Sequence, residues 1–357
     1  MTPRSRIAVV GAGSWGTALA CVIARTGAEV RIWGRREEQM RAMTETRHNP
    51  DYLKDYELPR RVFPSADLDE VVEHAHAIIV VPASHGMRDT AELLKEHYPR
   101  GVPLVSATKG LEPATGMRMT EVLGEILDLG DAPELAALSG PNFAVEVVAG
   151  LPAGTVVASA DEAVAREVQQ LASGRELRVY TSDDLTGVEL GGALKNVYAI
   201  AVGIIHSLGL GVNAQATLIT RGLAELTRLG VHLGAHPLTF AGLSGLGDLV
   251  LTCTSDLSRN RRAGLALGRG RSPQAIRSSR TTVEGMRATW AARDLAADCG
   301  VEMPIVGELY AILYEDKDPR DALEDLMNRD LRTERDEQYD VTIQEFLRRS
   351  DGVLEED

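Results

Sequence analysis

Two lysines stand where an ammonium group could do chemistry. Lys195 interrupts a long apolar run, directly after Leu190-Gly191-Gly192-Ala193-Leu194 and directly before Asn196. Lys109 follows a short apolar stretch and precedes Gly110. A free lysine titrates near about 10.4, so at neutral pH each is a proton donor or a fixed positive charge. Downstream, Asp248 follows the glycine-rich Gly242-Leu243-Ser244-Gly245-Leu246-Gly247, and Ser258-Arg259-Asn260-Arg261-Arg262 opens a helical pattern. A hydroxyl, a guanidinium and an amide at a helix start suit a phosphate. The same Asp248 and Ser258 equally suit plain helix caps, with the arginines turned to water.

The N-terminus carries Gly11-Ala12-Gly13-Ser14-Trp15-Gly16 between a β-branched run at 7–10 and an alanine-rich helical pattern from Thr17. Strand, GxGxxG and helix in that order form a dinucleotide fingerprint. The first glycine makes the tight turn, the second admits the pyrophosphate, and the third lets the helix pack on the strand. The next strand, 29–33, ends in Gly34-Arg35-Arg36, with no acid before Glu37. Two guanidinium groups in place of a ribose-binding acid favour the 2′-phosphate of NADP over NAD, without excluding NAD.

These residues need elements to hold them. Strands are expected at 7–10, 29–33, 77–81, 103–107, 135–138, 154–159 and 177–180. Residues 49–64, polar and punctuated by prolines, read as a connecting loop. Several strands end in small or polar residues: Ser84-His85 after the third, Thr108-Lys109-Gly110 after the fourth, Ser139-Gly140-Pro141-Asn142 after the fifth. Open α/β sheets bind ligands at those ends. His85 fits a packed loop position as well as a ligand contact. The apolar residues from Leu190 to Leu208 recur at helical spacing, and Thr181-Ser182-Asp183 supplies hydroxyl and carboxyl oxygens for its N-cap. Lys195 would project back over Gly191 and Gly192. Bare backbone there either leaves room for a flat ring or a small substrate, or permits tight helix packing while Lys195 reaches water. More helices are expected at 214–229, 263–267, 283–298 and 305–314.

The chain of 357 residues, at a net charge of −14, is long enough for two domains and poorly suited to nucleic acid or an anionic membrane. Cys21, Cys253 and Cys299 have no metal-like spacing and read as reduced thiols. No signal-like leader or uninterrupted apolar span is evident, which points to the cytoplasm. The expected division is 1–181 for dinucleotide binding, 182–334 for a helical substrate and catalytic domain, and 335–357 for a charged tail.

Assembled, the sequence resembles the NAD(P)-dependent glycerol-3-phosphate dehydrogenases of the bacterial biosynthetic type. GAGSWGTALA, NPDYL, VPASHGMR, SATKGLEPATGMRMTEVL, SGPNFA, ELGGALKNVYAIAVGI, GLSGLGDLVLTCTSDLSRNRR and VEG carry the resemblance, from about residue 5 to about residue 329. It implies an α/β Rossmann domain with a doubly wound, mostly parallel sheet. An all-α C-terminal domain of the 6-phosphogluconate-dehydrogenase-like type should follow, in a homodimer. The implied reaction reduces glycerone phosphate to sn-glycerol 3-phosphate with NADP(H) or NAD(H), supplying the glycerophospholipid backbone. No metal is implied. By resemblance Lys195 is the catalytic lysine, and Lys109, Asn196, Asp248 and Thr252 surround the reacting carbon. Gly140, Asn142, Ser258, Arg259 and Asn260 contact substrate. Gly11, Gly13, Ser14, Trp15, Gly16, Arg35, Arg36, Lys109, Ala144, Arg259 and Glu284 hold the cofactor. In this scheme Lys195 protonates the carbonyl oxygen, Asp248 orients it, Lys109 stabilises the oxygen's charge, and Arg259 with Asn260 clamps the phosphate. Asn142 stands where many members carry Ser or Thr, and Tyr198 where an aliphatic residue is usual. Two rivals remain: a related dehydrogenase of hydroxy acids, which has no need of the Ser258-Arg259-Asn260 group, and a redox-sensing binding module, which has no need of a proton donor.

Overall fold

The computed structural model describes residues 5–278, 283–331, 333 and 334. The expected charged tail at 335–357 lies outside the described residues. The chain divides into two compact units, Met1–Glu112 with Met117–Glu189, and Pro113–Gly116 with Leu190–Asp357. The division falls eight residues beyond the expected boundary at 181/182, because the first turn of the long helix packs with the sheet. Val188 and Leu185 join Ala137 and Ala158 in one apolar cluster there.

The first unit is built on eight strands: β1 (Arg6–Val10), β2 (Glu29–Trp33), β3 (Val62–Ser65), β4 (Ala77–Val80), β5 (Leu104–Ser106), β6 (Leu135–Ser139), β7 (Ala153–Ser159) and β8 (Leu177–Ser182). They run in the order β3-β2-β1-β4-β5-β6-β7-β8. Every pair is parallel except β6 with β7. Alternate residues of β1 feed opposite layers. Ile7 and Val9 pack with the helix Ser14–Arg25, while Ala8 and Val10 join Val80, Met87 and Leu94 on the other face. Burial on both faces explains why these strands are continuous apolar runs.

Two expectations are corrected here. The stretch 49–64 is not all loop, since its end enters edge strand β3 as Val62-Phe63-Pro64-Ser65. Proline is tolerated there because an edge strand leaves one row of amides unused. The cap of the long helix is not Thr181-Ser182-Asp183 either. β8 runs on to Ser182, and Asp184 Oδ1 accepts the Gly187 amide at 2.8 Å.

The second unit is helical. Its central element is Leu185–Ser207, which begins in the sheet unit and continues through Leu190. Its length and hydropathy would suit a membrane span, yet its apolar window is wholly buried in protein. Gly211–His232, Arg259–Gly268, Glu284–Cys299, Pro304–Tyr314 and Pro319–Met327 are its other longer helices. Small residues let backbones touch along the central helix. A Cβ on Gly264 would collide with the Ile200 carbonyl, and one on Gly285 with the Asn196 carbonyl. Tyr198, fully buried, lays its ring where a side chain on Gly222 would be, so Gly222 makes room for the aromatic residue.

Candidate active-site residues

In the sheet unit the glycine turn follows β1. Gly11 has φ +130° and sits against the end of β4, where a Cβ would lie 2.8 Å from the Val81 carbonyl oxygen. A Cβ on Gly16 would strike the Gly11 carbonyl, so that glycine is needed for packing. Gly13 has nothing within 4 Å of its Cβ position, leaving its backbone open to approach. The helix Ser14–Arg25 has no side-chain cap and no acid in its first turn. Its first amides are therefore available to an anion. Trp15 Nε1 is buried without a hydrogen-bond partner among the described residues. An open glycine, uncapped amides and an orphaned indole donor together fit the pyrophosphate of a dinucleotide.

Beneath this turn lies a polar scaffold absent from the expected site residues. Asn49 is fully buried; its Nδ2 donates to the Ala12 carbonyl at 3.1 Å and to Thr17 Oγ1 at 2.9 Å. Gln39 Nε2 donates to the same carbonyl at 3.0 Å and to Asn49 Oδ1 at 3.1 Å. The signal in the sequence is Asn49-Pro50-Asp51, whose turn chemistry is legible but whose burial is not. Beyond β2, Arg35 and Arg36 are both exposed. Arg36 Nη2 donates to Asp51 Oδ2 at 2.5 Å and to Gln39 Oε1 at 3.0 Å.

At the ends of β5 and β6, Lys109 Nζ donates to the Gly140 carbonyl at 2.6 Å. The loop carrying Lys109 is pinned by Arg88, which grips Glu112 bidentately at 2.8 and 2.9 Å. Asn142 Nδ2 donates to the Gly154 carbonyl at 2.9 Å, while its Oδ1 is buried without a partner among the described residues. Ala144 opens the short helix Ala144–Val148. His85 is exposed in the turn Ser84–Gly86.

In the helical unit Lys195 Nζ donates to Asp248 Oδ1, and both side chains are buried. Thr252 Oγ1 donates to the same oxygen at 3.3 Å. A single π-helical turn, Leu243–Gly247, delivers Asp248 as the first residue of the helix Asp248–Thr254. Asp248 does not cap that helix; its carboxylate is turned to Lys195. Of the two alternatives for the bare backbone here, Gly191 takes the tight-packing one. The Ser244 carbonyl of the π turn comes to 2.6 Å of where a Cβ would stand. Gly191 thus admits the turn that brings Asp248 to Lys195. Burial pushes the neighbouring Cys253 thiol up to about 12, against the pull of the Lys195 charge.

A second buried group lies one residue along. Asn260 Nδ2 donates to Asn196 Oδ1 at 2.7 Å, and Asn260 Oδ1 accepts the Gly285 amide at 2.9 Å. That bond ties both asparagines to the start of the helix Glu284–Cys299, beside half-buried Glu284. Ser258 caps Arg259–Gly268, accepting the Arg261 amide at 3.1 Å. Arg259 is exposed, whereas Arg261 is buried and paired with Asp256.

Residues 6–165 match the family model described as NAD-dependent glycerol-3-phosphate dehydrogenase N-terminus, and residues 184–324 match that of its C-terminus. The chain belongs to the glycerol-3-phosphate dehydrogenase family. It is 49% identical to glycerol-3-phosphate dehydrogenase (NAD(P)+) of Syntrophotalea carbinolica over 331 residues, covering 92% of this chain and 99% of that one. The Moorella thermoacetica protein of the same name is 48% identical over 91% of this chain and 96% of its own. The crystal structure of glycerol-3-phosphate dehydrogenase from Coxiella burnetii superposes with a TM-score of 0.86 at 39% identity, covering 91% and 99% of the two chains. Lys109, Lys195, Asp248 and the glycine turn all fall inside the matched segments.

Proposed function

We propose that this chain reduces glycerone phosphate to sn-glycerol 3-phosphate, reversibly, with NADP(H) favoured over NAD(H). The observation that carries the reading is the buried Lys195–Asp248 pair, within a segment matched to the family's C-terminal model. Bound reduced nicotinamide supplies the hydride. The chain's own part is to bind, orient and protonate. Lys195 Nζ gives a proton to the carbonyl oxygen as that oxygen becomes an alkoxide, and Asp248, accepting from Nζ, fixes its direction. Thr252 holds the carboxylate in turn. In the sheet unit the uncapped amides after Gly13 hold the pyrophosphate, and Arg35 stands ready for the 2′-phosphate. Lys109 is assigned to the substrate oxygen and Arg259 to the substrate phosphate. Asn142, with its unused buried oxygen, contributes an acceptor for a substrate hydroxyl. Asn260 acts through Asn196, to which its amide is committed. Assembly as a homodimer and action in the cytoplasm rest on the family resemblance.

The deciding experiment follows absorbance at 340 nm with glycerone phosphate and each reduced cofactor. Oxidation that requires the phosphorylated ketone, and proceeds faster with NADPH, is expected. Turnover of a hydroxy-acid or keto-acid pair instead, or dinucleotide binding without turnover, would overturn the reading.

A further inference from the structure

The proposed preference for NADP(H) leaves Asp51 unexplained. A carboxylate beside the ribose 2′-position should repel a phosphate, yet Asp51 Oδ2 lies 2.5 Å from Arg36 Nη2. Its placement is built, not incidental. Asn49 Oδ1 accepts the amides of Asp51 at 3.1 Å and Tyr52 at 3.2 Å, fixing the turn that presents Asp51. The same Asn49 is anchored on the Ala12 carbonyl of the glycine turn and on Thr17. Gln39 links that carbonyl to Arg36 from the other side, accepting from Arg36 at 3.0 Å and donating to Ala12 at 3.0 Å. Arg35, exposed and adjacent, makes no hydrogen bond or ion pair among the described residues. The two arginines at one turn are therefore unequal.

We propose that Asp51 is a specificity-determining residue for the dinucleotide: by engaging Arg36 it withholds one of two guanidinium groups from a 2′-phosphate and keeps NADH usable. This rests on the reading that the Arg35-Arg36 turn receives the cofactor's ribose. A 2′-phosphate meets Arg35 directly, but must compete with a tethered carboxylate for Arg36. Without a 2′-phosphate, the Arg36–Asp51 pair stays closed, and one guanidinium group instead of two faces the hydroxyl without a counter-charge. Both groups are more than a third exposed, so salt screens the competition.

The test is equilibrium titration of the full chain with NADPH and with NADH, read by nicotinamide fluorescence, at low and at high salt. Asp51→Asn keeps the side chain's size and removes its charge. The ratio of NADH to NADPH dissociation constants should rise about fivefold to tenfold at low salt and less at high salt. In Asp51→Asn combined with Arg36→Ala that gain should vanish. An unchanged or reversed ratio in Asp51→Asn, or a gain that survives loss of Arg36, would overturn the proposal. Arg35→Ala separates this from failure of the underlying reading. If it weakens NADPH while Asp51→Asn leaves the ratio fixed, only the role of Asp51 falls. If neither Arg35→Ala nor Arg36→Ala alters binding of either cofactor, the ribose lies elsewhere and both fall.

Discussion

Lys195 and Asp248 are opposite charges paired inside a packed helical unit, so a substitution at either does two things at once. Removing one partner of a buried pair leaves an uncompensated charge and costs about 3–5 kcal/mol. Lys195→Ala should therefore lose turnover and also lower the denaturation midpoint. Lys195→Met combined with Asp248→Asn removes both charges. It should recover most of the lost stability, seen in urea unfolding, while turnover at 340 nm stays abolished. Recovery of turnover along with stability would show that Lys195 serves folding alone. The lysine itself was plain in the sequence, as a lone charge in an apolar helical run. Its partner came only through the family resemblance, because Asp248 lies 53 positions away and depends on a π turn that fits only where Gly191 has no side chain. Asn49 was hidden for a similar reason. An asparagine in a proline-rich stretch reads as a turn, and only the folded chain shows it wholly buried under the glycine turn.

Among elements, the glycine turn separates two duties that the GxGxxG pattern writes with one letter. Gly16→Ala pushes a methyl group into the Gly11 carbonyl and should lower the melting temperature markedly. Gly13→Ala meets nothing in the protein, so thermal stability should change little while NADPH affinity falls. Calorimetry and fluorescence titration on the two variants distinguish the duties. A different junction ties Gly211–His232 to the start of Pro304–Tyr314. Buried Glu225 accepts the amide of Ile305 at 2.8 Å and that of Val306 at 3.4 Å. Burial raises its carboxyl to about 7, although those amides pull it down. The folded pKa thus lies above the unfolded one, near about 4.3, so the folded state holds more proton between the two values. Its contribution should favour folding increasingly as pH falls from about 7 toward about 4.3, and fade as pH rises through 7. The difference in urea midpoint between wild type and Glu225→Gln, followed across that window, should shift toward wild type at the acid end. The interior strands were legible because each is a buried apolar run bounded by turns. β3 was not, since four residues with a proline and an exposed Phe63 carry no such pattern.

For the molecule as a whole, composition and charge set the class of partner, while the two units set how a ligand should register. A dinucleotide that binds only the folded state at a hundred times its Kd stabilises it by about 2.7 kcal/mol. NADPH should raise the unfolding transition by several degrees, and the rise should shrink in Arg35→Ala. Calorimetry at graded NADPH checks both. A boundary between the units is hard to read from sequence, because one continuous helix serves both units and its opening residues are apolar on either account. The three thiols differ sharply in reach. Cys21 and Cys253 are buried, their thiols raised to about 11 and about 12, whereas Cys299 ends the helix Glu284–Cys299 half in water. A maleimide dye offered to the native protein in limiting amount should therefore attach at one address, giving a fluorescent reporter on the helical unit with no engineered mutation.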